Sequence, residues 1–310
     1  MITRRNFLEG ASAGAAISSL PAGCGSLCAA KAKYPAYENT LRDRMWMWGH
    51  DAGTTKGLYN LPADKGDILP AAAIDYMGIP NVCIIRWRGM PRPPFSEYVK
   101  QFAKTKRLVW SIDDGAPEPF ADKKRMALEL ADKMPNLVGL NMDDFFSGNG
   151  SPKPGEQESR TRTAGLTVST LKALRGELAA RPRHLDLSLV LYSYQLHPSI
   201  IHHIACCDDV YFWTWDASDL AKLQQNFEKY QKIAPDKRTL LGIYMWDFGG
   251  KKPIPLDLME HQCRLGLQWM REGKVEGLIF HCTPLCDMNL EAVEWSRKWI
   301  DRHADDVVRS

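Results

Sequence analysis

Several features that would place a protein in a specialised class are missing from this 310-residue sequence. Beyond the first thirty residues, no apolar run approaches the roughly 18 residues that a membrane-spanning helix needs. Lysine and arginine form no dense block and the formal net charge is only +3, so we expect no nucleic-acid partner. The remaining composition, 45% hydrophobic and 25% charged, is that of an ordinary globular protein.

Familiar cofactor and catalytic motifs are missing as well. No Gly-x-Gly-x-x-Gly follows an early strand, so a dinucleotide-binding domain has little support, and within residues 33–310 no Gly-x-Ser-x-Gly indicates a serine nucleophile. The spacing of Cys282 and Cys286 matches no zinc-binding pattern. The sequence therefore predicts a protein that works without a cofactor.

The first thirty residues differ in character from the rest of the chain. Residues 3–8 read Thr-Arg-Arg-Asn-Phe-Leu and resemble a twin-arginine export signal, with Glu9 where lysine is usual. Residues 21–24, Pro-Ala-Gly-Cys, resemble a lipoprotein cleavage box, which predicts either a lipid anchor at Cys24 or simple cleavage near Ala30. We assign residues 1–32 to a leader and 33–310 to the folded domain, and we expect an exported protein, periplasmic or anchored to a membrane.

The folded domain alternates between short β-prone runs and segments with helical periodicity. Five clear helical segments are predicted at 123–134, 165–180, 220–234, 256–272 and 290–303. The eight β-prone runs are 44–50, 81–87, 107–113, 136–143, 185–193, 208–215, 239–246 and 275–281. Eight repeats over roughly 250 residues are typical of a single (β/α)₈ TIM barrel, with an open doubly wound sheet as the alternative.

Charged and aromatic residues collect at the carboxyl ends of these runs, the face on which a (β/α)₈ barrel builds its active site. The opposite ends show no comparable gathering. Candidate catalytic carboxylates are Asp143, Asp144, Asp216 and Asp247. Candidate substrate-binding residues are His50, Asp51, Arg86, Trp87, Asp113, Tyr192, Trp213, Trp215, Trp246 and His281.

The fourth run ends in the motif Asp143-Asp144-Phe145-Phe146, which opens a long loop rich in Gly, Pro and Ser. Alternate residues of a strand point to opposite faces. The larger apolar side chains of this run share one face, so Asp143 is predicted to point into the barrel and Asp144 to turn outward or start the loop. The two phenylalanines are expected to anchor the loop, which extends to about residue 163 and is typical of a lid or a binding loop.

An Asp-Asp-aromatic ending at the fourth strand, with Trp-rich endings at the sixth and seventh, resembles barrel glycoside hydrolases of the α-galactosidase-like clan. The resemblance implies that Asp143 or Asp144 is a nucleophile and that Asp216 is the proton donor, with Asp247 competing for the second role. Trp and Tyr rings suit the apolar faces of sugars, and two carboxyl groups suit glycosidic cleavage. We therefore expect a glycoside hydrolase-like enzyme with a carbohydrate substrate.

Two alternatives to this interpretation remain open. One is a Zn²⁺-dependent hydrolase that uses His50, Asp51, Asp113, Asp143 and His281. The first strand offers only one histidine, in Trp48-Gly49-His50, where His-x-His is usual for such barrels. The other alternative is a carbohydrate-binding barrel without catalytic activity, in which the carboxylates bind hydroxyl groups.

Overall fold

The structure, a computed structural model, describes residues 40–113, 118–146 and 164–308. The proposed export signal and Cys24 lie outside these residues. The strands are β1 (Met45–Gly49), β2 (Asn81–Ile84), β3 (Arg107–Asp113), β4 (Leu137–Met142), β5 (Asp186–Tyr192), β6 (Asp209–Trp213), β7 (Arg238–Tyr244) and β8 (Gly277–His281). The helices are α1 (Pro70–Met77), α2 (Phe120–Lys133), α3 (Val168–Ala179), α4 (Ile201–Ile204), α5 (Leu223–Ile233), α6 (Leu256–Arg271) and α7 (Glu291–His303).

The eight strands form a closed parallel barrel in sequence order, with β8 pairing back to β1. This confirms the predicted (β/α)₈ fold, and each predicted strand overlaps an observed one. Strands of such a barrel are covered on both faces, which explains why every residue of β4 is buried. No described helix is long and apolar enough to cross a membrane.

The connection between β2 and β3 is the irregular one. Residues 85–106, all of them described, contain only the 3₁₀ segments Trp87–Gly89 and Tyr98–Phe102 in place of an α-helix. Prolines at positions 91, 93 and 94 interrupt this stretch, and proline removes a helical hydrogen bond and fixes the backbone. The ordinary helical layer is therefore replaced here by turns.

The amino-terminal ends of the strands carry a network of buried or half-buried ion pairs, contrary to the expectation that these ends hold no comparable gathering. The Arg107 guanidinium, fully buried, makes paired contacts of 3.1 and 3.2 Å with the carboxylate of Asp43. Arg238 contacts both Asp186, at 2.7 Å, and Asp209, at 2.8 Å. Opposite charges therefore face each other across the bottom of the barrel, where breaking a pair would leave a buried charge without its partner.

Glycine at position 242 makes room for a large side chain inside the barrel. A methyl group on Gly242 in β7 would lie 2.0 Å from Cε3 of Trp213 in β6. Real carbon atoms do not approach so closely, so the indole occupies the space that a side chain on β7 would take. The absence of a side chain at Gly242 therefore allows the Trp213 indole to lie in this position.

We expect Gly242→Ala to displace Trp213 and to lower the free energy of unfolding by about 1–3 kcal/mol through overpacking. Denaturant unfolding would measure the change. Gly176→Ala is the matched control, because Gly176 lies within α3 and a methyl group added there would meet no other atom within 4 Å. The control should stabilise the protein by up to about 1 kcal/mol. Equal effects of the two substitutions would contradict the packing account.

Candidate functional site

A cavity of about 540 Å³ opens at the carboxyl ends of the strands. Its floor comes from side chains inside the barrel, and its rim comes from the loops that follow the strands. The residues that line it are Trp48, His50, Thr55, Tyr59, Trp87, Asp143, Asp144, Tyr192, Trp213, Trp215, Tyr244, Phe248 and His281. The predicted functional face therefore does hold a cavity, and eight of its thirteen lining residues carry aromatic rings other than histidine.

The floor is a cluster of aromatic rings from four consecutive strands of the closed barrel. The ring centroids of Trp48 and Trp213 are 5.2 Å apart, and those of Trp213 and Tyr244 are 4.9 Å apart. His281 joins the cluster 4.9 Å from Tyr244. Close packing of rings from β1, β6, β7 and β8 gives the cavity a rigid, mostly apolar base.

His50 is held in a defined orientation at one side of this base. The indole N–H of Trp48 donates to Nε2 of His50 at 3.0 Å, and the imidazole stacks on Trp87 at 5.1 Å. Because Nε2 accepts a hydrogen bond, the ring proton of the neutral imidazole lies on Nδ1. Burial lowers the pKa of His50 to about 3, so the ring is an uncharged hydrogen-bond donor at neutral pH.

His281 is also uncharged. Its pKa is lowered well below the usual value, first by burial and then by the neighbouring His50, against a small opposing effect of its own backbone. The two imidazole centroids are 5.2 Å apart. The base of the cavity therefore contains two neutral imidazoles, which can bind polar groups but bring no positive charge.

Four buried polar atoms of the cavity lining have no hydrogen-bond partner within the described part of the chain: His50 Nδ1, Thr55 Oγ1, Trp213 Nε1 and His281 Nδ1. Leaving a buried donor or acceptor unpaired costs about 1–3 kcal/mol. Such atoms are uncommon in proteins, and each one calls for an explanation. Their concentration in one cavity marks a polar site that can accept water or a ligand with several hydroxyl or amide groups.

Asp143 and Asp144 form one wall of the cavity, immediately after β4. The backbone of Asp144 adopts a positive φ of 46°, which turns the chain at this point. Tyr192 OH donates to Oδ1 of Asp144 at 3.0 Å, and the Asp144 backbone N–H donates to Oδ1 of Asp143 at 2.9 Å. Asp144 therefore starts the loop, one of the two predicted arrangements, and the turn directs its carboxylate across the cavity toward β5.

The Asp144 side chain is accessible to solvent, but most of its surroundings are protein. Water reaches its side chain, yet protein surrounds it on most sides, as expected for a group in an open cavity. Burial raises the pKa of Asp144, and the hydrogen bond from Tyr192 opposes the shift. A raised pKa is the property that a carboxylic proton donor needs.

The rim is built from rings on three loops. Tyr59 lies 5.2 Å from Phe248 and 6.0 Å from Trp215, measured between ring centroids. The indole N–H of Trp246 donates to the backbone carbonyl of Tyr59 at 3.0 Å. Trp246 is thus absent from the lining and instead positions the residue that lines it.

The second carboxylate expected from β6 or β7 does not reach the lining. Oδ1 of Asp247 accepts hydrogen bonds from the backbone N–H groups of Gly250, at 2.8 Å, and Ala217, at 3.3 Å. Asp216 packs against Gly249, where an added methyl group would lie 1.8 Å from its Oδ1. Both residues organise the loops behind the rim.

Three further predicted residues lie outside the cavity lining. Asp51 accepts a hydrogen bond from the Ala52 backbone N–H at 2.9 Å. Arg86 donates to both carboxylate oxygens of Glu118 at 2.8 and 3.1 Å. The Asp113 carboxylate lies 3.8 Å from Lys123 Nζ.

The predicted lid begins as expected. Phe145 and Phe146 are buried, and the Gly165 N–H donates to the Phe145 carbonyl at 2.8 Å. Residues 147–163, where the rest of the lid prediction falls, lie outside the described residues.

Eight predicted residues do line the cavity: His50, Trp87, Asp143, Asp144, Tyr192, Trp213, Trp215 and His281. Five lining residues were missed: Trp48, Thr55, Tyr59, Tyr244 and Phe248. Strand alternation offered a signal for Trp48, which shares a face with His50. Thr55, Tyr59 and Phe248 lie in loops, where no periodic pattern indicates direction.

Histidine and cysteine come together beside this cavity, so a metal site needs to be considered. Potential ligand atoms of His50, His281 and Cys282 lie within 4.8 Å of one another. However, Nε2 of His50 already accepts the Trp48 N–H. No described carboxylate joins this cluster, so the geometry favours an organic ligand over the predicted zinc ligand set.

No protein-family model matches the sequence, and no curated protein matches it. Solved structures match its fold. A catalytic-site mutant of the thermostable chitinase active domain 2 from Pyrococcus furiosus has a TM-score of 0.53 at 13% identity, covering 86% of this chain and 97% of that one. The tamarind chitinase-like lectin has a TM-score of 0.50 at 10% identity, covering 84% and 98%.

A third similar structure is the GH99 endo-alpha-mannosidase from Bacteroides thetaiotaomicron, with a TM-score of 0.50 at 12% identity, covering 85% of this chain and 98% of that one. Identities this low carry information on the fold alone. The comparisons therefore agree with the (β/α)₈ barrel fold of this chain.

Proposed function

We propose that this protein binds a carbohydrate in the cavity at the carboxyl ends of the strands and cleaves a glycosidic bond there. The observation that carries the proposal is the combination, in one cavity, of aromatic walls with four unpartnered buried polar atoms. Ring faces stack on the C–H faces of a sugar, while the polar atoms bind its hydroxyl groups. Ligand sites generally combine apolar walls with a few directed polar groups in this way.

Asp144 is the proposed proton donor. Its raised pKa keeps the carboxyl group protonated to higher pH than an ordinary aspartate, and Tyr192 holds one of its oxygens in place. Asp143 lies next to it and accepts its backbone N–H, so the second carboxylate supports the orientation of the first. The neutral imidazoles of His50 and His281 would bind sugar hydroxyls without competing for the transferred proton.

A carbohydrate-binding barrel without turnover is the second candidate, and one observation favours it. Both carboxylates in the described lining come from the end of β4, whereas glycosidases commonly place a pair on either side of the bond. One similar structure is named a chitinase-like lectin. Release of reducing sugar from a glycan panel by the wild-type protein separates the two candidates, since binding without any release would refute the hydrolase.

The cavity itself can be tested with Trp215→Ala. We expect binding of any responsive glycan to weaken on the order of tenfold, because the substitution removes one ring face from the rim. Tryptophan fluorescence or calorimetry would measure the affinity. Trp295→Ala in α7 is the matched control, since Trp295 stacks on Trp299 outside the barrel. If both variants bind as tightly as wild type, the ligand binds elsewhere.

A further inference from the structure

The hydrogen bond between Trp48 and His50 determines what His50 can offer a ligand. An indole N–H is a donor only, and that of Trp48 occupies the Nε2 lone pair of His50 at 3.0 Å. The other ring nitrogen, Nδ1, therefore carries the proton of the neutral imidazole, and it has no partner among the described residues. Without the indole, the proton could lie on either nitrogen. Trp48 thus makes His50 a donor toward the cavity.

His281 lies where it can share a bound group with His50. A ring nitrogen of one and a ring nitrogen of the other lie within 4.8 Å, and the two imidazole planes are at 86°. A hydrogen bond from an imidazole N–H to oxygen spans about 2.7–3.2 Å, so one oxygen atom between the rings can reach both. Nδ1 of His281 is also buried and has no partner in the part of the chain that the structure describes.

A hydroxyl group fits between these imidazoles better than other substituents of a sugar. Two N–H groups directed at the same point repel each other, so His281 is expected to present its bare nitrogen there. A hydroxyl oxygen accepts one hydrogen bond and donates another, whereas a carbonyl or ether oxygen only accepts. Water can make the same two bonds, and a ligand hydroxyl that displaces the water keeps both of them.

We infer that Trp48 is a positioning residue and that the floor of the cavity binds one sugar hydroxyl between His50 and His281. Nδ1–H of His50 donates to the hydroxyl oxygen, and the bare nitrogen of His281 accepts the hydroxyl proton. Trp48 acts through His50, because its N–H fixes the tautomer. The inference rests on the proposed carbohydrate function and adds that the substrate carries a free hydroxyl at one defined ring position.

The surroundings of the two imidazoles make this recognition selective. His50 and His281 are only 6% and 9% exposed. His50 stacks on Trp87 with the ring planes at 16°, and His281 stacks on Trp48 with the planes at 26°. A buried site built to bind a hydroxyl rejects an analogue that lacks it, because the polar groups of the site are then left unpaired.

The tautomer of His50 can be measured without any ligand, by NMR of the ring nitrogens in protein labelled at its eight histidines. The His50 signals are those lost in His50→Gln. At neutral pH we expect a protonated Nδ1 and a bare Nε2 in the wild type, and a mixture of both tautomers in Trp48→Phe. Trp299→Phe is the matched control, since Trp299 also contacts a histidine, His303 at 4.9 Å, but does so within α7.

The hydroxyl is identified with methyl glycosides of glucose, galactose and mannose and with their monodeoxy and monodeoxyfluoro analogues. Quenching of tryptophan fluorescence gives the affinities. For a sugar that binds, we expect removal of one particular hydroxyl to weaken binding about tenfold or more. Fluorine at that position should not restore the affinity, because it cannot donate to His281. The loss should shrink to about threefold or less in Trp48→Phe and persist in Trp299→Phe.

A wild-type His50 with its proton on Nε2 would overturn the role of Trp48, even if Trp48→Phe fails to fold. Equal affinity of every deoxy analogue, or full affinity of the fluoro analogue, would overturn the hydroxyl site and leave the carbohydrate function standing. Failure of every glycoside to bind would overturn the carbohydrate function, and the hydroxyl site with it, whatever the tautomer of His50.

Discussion

Replacing Asp144 by Asn should reduce the release of reducing sugar by about 10³-fold, the scale of a lost general acid. The substitution keeps the shape of the side chain and still accepts the hydrogen bond from Tyr192 OH, but it removes the transferable proton. Neutral sugars should bind the variant as they bind the wild type. Kinetics on a substrate identified from the glycan panel would measure the effect, and Asp305→Asn, at an exposed position of the carboxyl-terminal segment, would serve as the unaffected control.

The pH profile distinguishes a proton donor from a merely structural residue. Because the pKa of Asp144 is raised, activity should fall as pH rises through that raised value. The Tyr192 hydrogen bond lowers the pKa of Asp144, so Tyr192→Phe should move this fall in activity to higher pH. A profile that keeps its position in Tyr192→Phe would speak against Asp144 as the acid.

Asp144→Asn should change stability in the opposite direction to activity. Asp144 has a higher pKa in the folded protein than its ordinary value of 3.8, so the folded state holds the proton more tightly than the unfolded state. Its stabilising contribution is complete below pH 3.8 and is lost as pH rises through the folded pKa. At neutral pH, Asp144→Asn removes this penalty and should raise the melting temperature. A lowered melting temperature would indicate a structural role instead.

Replacing Arg107 by Met should have the largest effect on stability, a loss of about 3–5 kcal/mol in the free energy of unfolding. Arg107 and Asp43 are both buried and face each other through two contacts. Methionine fills much of the same space but leaves the Asp43 carboxylate buried without the guanidinium, although Lys106 still lies 2.6 Å from it. Denaturant unfolding at neutral pH would measure the loss.

A second substitution tests whether the loss in the free energy of unfolding comes from charge or from packing. Asp43→Asn combined with Arg107→Met should recover part of the loss, because the buried carboxylate is then absent and the Lys106 side chain, 33% exposed, can be solvated by water. Arg125→Met is the matched control, since Arg125 makes exposed contacts with Glu129 and Asp122 on α2 and should cost no more than about 0.5 kcal/mol. If the double variant is no more stable than Arg107→Met alone, the loss comes from packing rather than from charge.

The fold was predictable because its signal is local and repeated. Each strand is a short apolar run, and each clear helical segment shows a period that its own residues define. The site was less predictable for a physical reason that Asp247 illustrates. A carboxylate at the end of β7 has the right chemistry and place, but it accepts the Gly250 N–H from the turn that follows and the Ala217 N–H from the segment after β6, and these two bonds fix it behind the rim.

By itself, the sequence determined that eight strands alternate with helices and that Asp143 and Asp144 end the fourth of them among aromatic residues. Only the tertiary structure decided which of the gathered side chains share a cavity. The positive φ of Asp144 turned its carboxylate toward Tyr192, and barrel closure brought Trp48, Trp213 and His281 together. Closure also assembled the ion pairs at the opposite end of the barrel. The stagger between strands sets which distant residues become neighbours, and no single segment of the sequence encodes that stagger.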